Sequence, residues 1–294
     1  MSKIAKKIKH YAHLCIIALS RLFLFKCKYA HLNIDPKKEK VVAIISCFNY
    51  VEYTKKAIES YYASLDDNEH DYILIIMDDH STDGTREFFL SEGRKYDNIC
   101  YFRYRKNMGL TQTWNDGVRF ALKKLKADYI FLVNNDVILP KGALSKLSGG
   151  LKNNNNIGVI GPLTNTPGIQ PLQDIRRFYE NYVASDLLHD IQEVANDIRK
   201  NKAVEIDQVN GFFMGFPKEA FERNVYFTLF RPYYFNPAYR NLKNESEFQA
   251  RLKLIGLKSF LDTSSFVFHY KDISQHRTED PTDRLKRGQI FRIL

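Results

Sequence analysis

The sequence predicts an α/β domain, a mostly parallel sheet flanked by helices, with a less regular second half. Three observations carry that expectation. Short runs rich in Val, Ile, Tyr and Phe alternate with stretches of about a dozen residues that have one apolar face, the signature of strands crossing over through helices. Several of those runs end in a cluster of acids, amides and small polar residues, and ligands of such sheets bind beyond the carboxyl ends of strands. With 294 residues, 44% of them apolar, and 21 Phe and 18 Tyr, the chain has material for a sizeable core.

Taken in order, "EKVVAIISCFN" (39–49) is a β-branched run suited to a buried strand. "YTKKAIESYYAS" (53–64) reads as a helix with Ala57, Ile58 and Tyr61 on one face. "DYILIIMDDHSTDGT" (71–85) is a second strand running into acids and a turn, and "TREFFLSEG" a helix closed by Gly93. "NICYFRYRKNMG" (98–109), "LTQTWNDGVRFALKKL" (110–125) and "DYIFLVNND" (128–136) continue as strand, helix, strand. "NIGVIGPLT" (156–164) makes a fifth strand, after which 165–205 reads as a polar, helical insert. "VNGFFMGFPKEAF" (209–221) is apolar again, and 226–239 is very aromatic, suited to core packing or to stacking on sugar faces. An amphipathic helix over 245–256 ends at Gly256, and "KSFLDTSSFVFHY" (258–270) supplies one or two late strands. The domain therefore runs from 39 to 270, divided into 39–160 and 161–270, with a charged tail at 271–294.

Residues 1–38 form an arm with its own pattern. Of the net charge of +10, +8 lies within residues 1–40, so the folded body is nearly neutral. That distribution argues against nucleic acid as a partner, which would favour a basic body. Ile4, Ile8, Tyr11, Cys15, Ala18, Leu22 and Phe25 recur at four- and three-residue steps, with Lys6, Lys9 and His13 largely opposite. The apolar part is too short to span a bilayer, which takes about 20 residues. A basic amphipathic helix over residues 3–28, lying on an anionic membrane surface at the cytosolic face, or packing on a protein, fits the pattern. Cys15, Cys27, Cys47 and Cys100 are widely spaced with no C-x-x-C pair, pointing to neither zinc nor disulfides and to a reducing, cytoplasmic setting.

The polar clusters are the candidates for chemistry. Asp78 and Asp79 close the second strand, where an acid accepts hydrogen bonds from a base or ribose or simply shapes the turn. Asn107 and Gly109 bracket a helix entry; the amide suits a nucleobase edge, and the glycine permits a sharp turn. Asn134, Asn135 and Asp136 end the buried strand "YIFLV". A hard cation that also holds a diphosphate needs only one or two protein carboxylates, and Asp136 offers one. Glu245 and Glu247 open a helix, where acids are also favoured by the helix dipole. His269 ends an apolar strand and is a further ligand if a metal lies near.

In their joint order these segments resemble the family 2 glycosyltransferases of GT-A fold, from about Val41 to His269. "IISCFNYVEYTKKAIES" is similar to the family's first strand and helix, "DDHSTDGT" to its nucleotide-binding acids, and "RKNMGLTQTWNDG" to its Asn-x-Gly segment. "LVNNDVILP" resembles the variant of its Asp-x-Asp motif seen in rhamnosyltransferase-like members. "NESEFQARLKLIG" is similar to its acidic helix and "FVFHY" to its late histidine. The resemblance implies that Ser46, Asn49, Asp78, Asp79, Asn107 and Asn135 contact the nucleotide or donor sugar. It implies that Asp136 and His269 hold a divalent cation, Mn²⁺ or Mg²⁺, and that Glu245, or else Glu247, is the catalytic base. Asn244 stands where an acid is usual, and Glu replaces Asp at the base.

The expectation is an inverting, metal-dependent glycosyltransferase. It would use a nucleotide-sugar donor, UDP- or dTDP-linked, and a glycan or lipid-linked acceptor in polysaccharide or surface-glycan synthesis. A sugar nucleotidyltransferase and a nucleotide-sugar-binding scaffold without turnover are the alternatives. No Ser/His/Asp set or P-loop supports a hydrolase or NTPase.

Overall fold

The computed structural model describes residues 25–66, 69–168, 170–198, 203–227 and 232–270. Its centre is a nine-stranded sheet. The first half supplies β1 (Phe25–His31), β2 (Glu39–Cys47), β3 (His70–Asp78), β4 (Ile99–Tyr104) and β5 (Tyr129–Asn134). The second supplies β7 (Ile157–Leu163), β8 (Ala203–Ile206), β9 (Phe213–Pro217) and β12 (Lys258–Phe266), in the overall order β1-β4-β3-β2-β5-β9-β7-β12-β8. β4, β3, β2 and β5 are mutually parallel, and β12 is parallel to β7. β1, β9 and β8 run the other way.

Alternation along the central strands divides the core in two. Val42, Ile44, Ile73, Ile75 and Met77 face the helix α3 (Leu110–Phe120) with its buried Trp114. Val41, Ala43, Ile45, Leu74 and Ile76 face α1 (Val51–Ser64), α2 (Thr85–Ser91) and α4 (Ala143–Lys152). Full burial of each such side chain stabilises the fold by about 1.5–3 kcal/mol, which is why uninterrupted apolar runs mark these strands. The register follows: with β2 beside both β3 and β5, the polar ends Cys47, Asp78 and Asn134 reach one edge of the sheet together.

Three expectations change. Residues 25–28 are strand rather than helix, because β1 pairs antiparallel with β4; the rest of the arm, residues 1–24, and the tail 271–294 lie outside the described residues. The 165–205 insert holds one helix, α5 (Leu188–Asp197), two 3-10 turns and the edge strand β8, so it is mostly irregular. The helix expected over 245–256 is α7 (Asn244–Leu254), but its buried face mixes Phe248 and Leu252 with Asn244 and Gln249. Gln249 is buried because its amide donates to and accepts from the Val209 backbone, at 2.9 and 2.8 Å, as a neighbouring strand would.

Two short ribbons complete the fold. β10 (Tyr226–Phe227) pairs with β11 (Pro232–Tyr233), just beyond α6 (Lys218–Arg223). β6 (Val137–Ile138) pairs antiparallel with β13 (Phe268–His269), setting His269 opposite Val137.

Candidate active site

At the carboxyl end of β3 the two acids have different surroundings. Asp78 is fully buried; it accepts from Ser81 N–H at 2.7 Å and Tyr101 O–H at 2.8 Å, and Arg103 Nε lies 3.0 Å away. Asp78 thus anchors the loop from inside, through bonds to the protein itself. Asp79 accepts from the Met108 and Gly109 N–H groups at 2.6 and 2.8 Å, one on each oxygen. Its carboxylate thus holds the turn between β4 and α3 rather than standing open.

That turn depends on Gly109. Its φ is +88°, and a Cβ there would lie 2.4 Å from Arg240 Cγ, so only glycine admits both the turn and the crossing arginine. Arg240 Nη2 donates to Asn107 Oδ1 at 2.7 Å, while its carbonyl accepts from Thr111 N–H at 2.9 Å. Asn115, in the second Asn-x-Gly, is buried and bonds the backbone of Tyr234 and Phe235 from 2.8 to 3.0 Å. It pins the aromatic segment, of which Tyr233 and Phe235 are buried, Tyr226, Tyr234 and Tyr239 half-buried, and Phe227 exposed.

Asn49, at φ +60°, accepts from Thr82 N–H at 2.7 Å through its side chain, and its own N–H donates to Ser81 Oγ at 2.9 Å. Ser46 Oγ accepts from Thr113 at 2.7 Å. Asn135, buried, donates to Thr54 Oγ1 at 3.0 Å. These residues tie the loops after β2, β3 and β5 into one rim.

Asp136 departs from that pattern. It is 1% exposed, His269 Nε2 lies 3.3 Å from its Oδ1, and none of the three atoms (Asp136 Oδ1 and Oδ2, His269 Nε2) has a hydrogen-bond partner among the described residues. Burying an ionised carboxylate without compensation is costly, so this trio fits a cation. A carboxylate and an imidazole are a suitable donor pair for Mn²⁺ or Mg²⁺ completed by phosphate oxygens and water. The ring is fixed by its neighbours: Phe212 stacks on it at 4.9 Å, and Thr166 Oγ1 lies 3.0 Å from Nδ1. Tyr270 N–H donates to the Asp136 carbonyl at 3.0 Å, closing the ribbon β6–β13 around the pair.

The two glutamates of α7 separate clearly. Glu247 makes a two-point ion pair with Arg251, at 2.8 and 3.1 Å, and Arg251 also holds the carbonyls of Asn224 and Tyr234. Glu245 has no ion-pair partner among the described residues, and burial pushes its carboxyl above the ordinary glutamate value of 4.5. It packs against Gly211, where a Cβ would meet Glu245 Cγ at 3.2 Å, and Gly211 precedes the Phe212 that covers His269. Asn244, also buried, donates to Thr111 Oγ1 at 3.0 Å and so ties the start of α7 to the helix beyond the Asn107 turn.

The model of glycosyl transferase family 2 matches residues 42–216, more than half of the chain. The chain belongs to this family. TarP of Staphylococcus aureus (strain N315), a poly(ribitol-phosphate) β-N-acetylglucosaminyltransferase, is 34% identical over 124 residues, 42% of this chain and 36% of TarP. The match thus spans about a third of that relative's length. Among solved structures, GalNAc-T7 with UDP, GalNAc and Mn²⁺ superposes with a TM-score of 0.58 at 14% identity, over 80% of this chain and 44% of that one. The mannosyltransferase PcManGT from Pyrobaculum calidifontis, in complex with GDP-Man and Mn²⁺, gives 0.56 at 15% identity, over 97% and 71%. These likenesses show the GT-A fold.

Within this family 2 chain the structure gathers Asp136 with His269, and Asp79 with Asn107, while withdrawing Asp78 and Glu247 into internal bonds. Sequence reasoning missed Asn165, Thr166, Phe212 and Arg240. Asn165 and Thr166 stand beyond the fifth strand, a position that could have flagged them. Arg240 offered no signal, because its partner Asn107 lies 133 residues away. An open depression of about 540 Å³, bordered by Asp207, Lys253 and Lys258, lies near the amino end of β12, the opposite end of that strand from His269.

Proposed function

We propose that this chain transfers a sugar, with inversion, from a nucleoside-diphosphate sugar to a hydroxyl of a glycan or lipid-linked acceptor. The observation that carries the reading is the buried Asp136–His269 pair, whose facing atoms have no hydrogen-bond partner among the described residues. Asp136 and His269 would hold the cation, which when bound offsets charge on the departing diphosphate. The rim of Ser46, Asn49, Asn107 and Asn135 binds the nucleoside and donor sugar, with Asp79 shaping the Met108–Gly109 backbone that faces them. Glu245 accepts the acceptor hydroxyl's proton as that oxygen attacks the anomeric carbon from the face opposite the diphosphate. Its raised pKa suits the task, since a base works best with a pKa near the working pH. UDP- and dTDP-sugars are the favoured donors, and TarP's phosphate-bearing polymer makes surface glycans the favoured acceptor class.

No helix among the described residues is long and apolar enough to cross a membrane. The part of the basic segment that precedes β1, residues 3–24, would hold the enzyme peripherally at the cytosolic membrane face. A thermal-shift panel of UDP, dTDP, GDP and CDP, each with and without Mn²⁺, tests the donor site. A shift with one diphosphate that requires Mn²⁺ supports it, because a ligand selective for the folded state raises apparent stability. No shift with any of the four would sink the reading in favour of a scaffold role.

A further inference from the structure

Asn165 and Thr166 follow β7, the strand parallel to β12, so they reach the same end of the sheet as His269. Asn165 grips the His269 peptide at two points: Oδ1 accepts from His269 N–H at 2.8 Å, and Nδ2 donates to its carbonyl at 3.1 Å. Thr166 takes the ring. Its hydroxyl donates to the His269 carbonyl at 3.3 Å and lies 3.0 Å from Nδ1. A hydroxyl has one proton, so with that proton directed to the carbonyl, the oxygen is left to accept Nδ1–H. An imidazole protonated at Nδ1 has its lone pair on Nε2, the atom that faces Asp136.

We propose that Thr166, backed by Asn165, is a positioning residue for the cation site: it accepts Nδ1–H of His269 and so presents Nε2 as a metal ligand. The inference rests on the proposed cation pair and adds to it the group that sets the tautomer. Partners of this kind orient metal-bound histidines and raise their basicity, and their loss typically weakens metal affinity by about 10–100-fold. Phe212 fixes the plane of the ring but has no acceptor, so it cannot substitute.

The test uses the full chain and Mn²⁺ alone, with free Mn²⁺ followed by electron paramagnetic resonance. Thr166→Val should weaken binding by about 10–100-fold, while Thr166→Ser, which keeps the hydroxyl, should stay within about threefold of the original. His269→Ala is the reference for loss of the ligand. If Thr166→Val binds as the original does while His269→Ala loses the ion, the role of Thr166 is wrong and the cation pair stands. If Thr166→Ser falls as far as Thr166→Val, the effect is one of packing and the tautomer argument fails. If His269→Ala binds unchanged, the cation pair itself is wrong, and this inference goes with it.

Discussion

The two ends of the site differ in how their polar groups are satisfied. On the donor side, Asp78, Asp79 and Asn49 accept from the protein's own N–H and O–H groups, and the Asn135 amide donates to Thr54 Oγ1. Where the two halves of the chain meet, Asp136 and the Nε2 of His269 have no such partners among the described residues, and Glu245 is desolvated without a counter-charge. The contrast separates two uses of a carboxylate. A satisfied one fixes the shape of a loop, whose backbone and amides are proposed to meet the ligand. An unsatisfied one is held ready for a cation or a proton, at a cost in stability that the rest of the fold must offset.

The contrast can be broken at three points. The largest effect is expected from Asp136→Ala, which should abolish metal-dependent transfer, a loss of several kcal/mol of transition-state stabilisation. Its melting temperature in EDTA should be no lower than the original's, since it removes a buried carboxyl that has no hydrogen-bond partner among the described residues. A clear fall in EDTA would show that Asp136 has a structural role instead.

Glu245→Gln comes next, lowering kcat by about 10²–10⁴-fold. The parent enzyme's activity should fall on the acid side through a pKa above the ordinary glutamate value of 4.5. Stability carries the opposite sign. A carboxyl whose folded pKa is raised by burial imposes no penalty below its unfolded pKa and its full penalty above the folded one. Glu245→Gln should therefore melt higher than the original at pH 7, with the difference closing below about pH 4.5. Glu247→Gln, which breaks the pair with Arg251, should instead melt lower and keep the parent pH profile. Exchange of these two outcomes would move the base to Glu247.

The smallest effect is expected from Asp79→Asn. It weakens two charge-assisted bonds to Met108 and Gly109, each worth about 1.5–3 kcal/mol, and should lower stability and raise KM for the donor while sparing kcat. An unchanged melting temperature with donor binding lost would place Asp79 directly on the nucleoside and erase the distinction between the two ends.

Much of the fold was legible because the central strands are buried on both faces and so read as unbroken branched runs. β1 was misread because Phe25 continued the helical stripe from Ile4; yet Phe25, Cys27 and Tyr29 also alternate with Lys26, Lys28 and Ala30, a period of two that competed with it. The placement of β9, reversed between β5 and β7, could not be read, since an apolar run carries no direction. In the site, Asp136, His269 and Glu245 were singled out by residue type and by the order of the motifs that resembles family 2. That Asp78 was already engaged was invisible, because Tyr101 and Arg103 reach it from another strand, whereas the pairing of Glu247 with Arg251, four residues on in the same helix, was open to reading.

The ribbon joining β6 to β13 has a consequence for how the enzyme is made. Asp136 and His269 are separated by 133 residues, and His269 follows β12, the strand that lies beside β7. Contacts of such long range form late, because the intervening chain must be ordered first. A chain still emerging from the ribosome and stopped short of Phe268 already carries the sequence of the first-half strands and loops, yet lacks His269, one half of the proposed cation pair. On the proposed reading, such an unfinished chain would engage a nucleoside without being equipped to transfer an activated sugar.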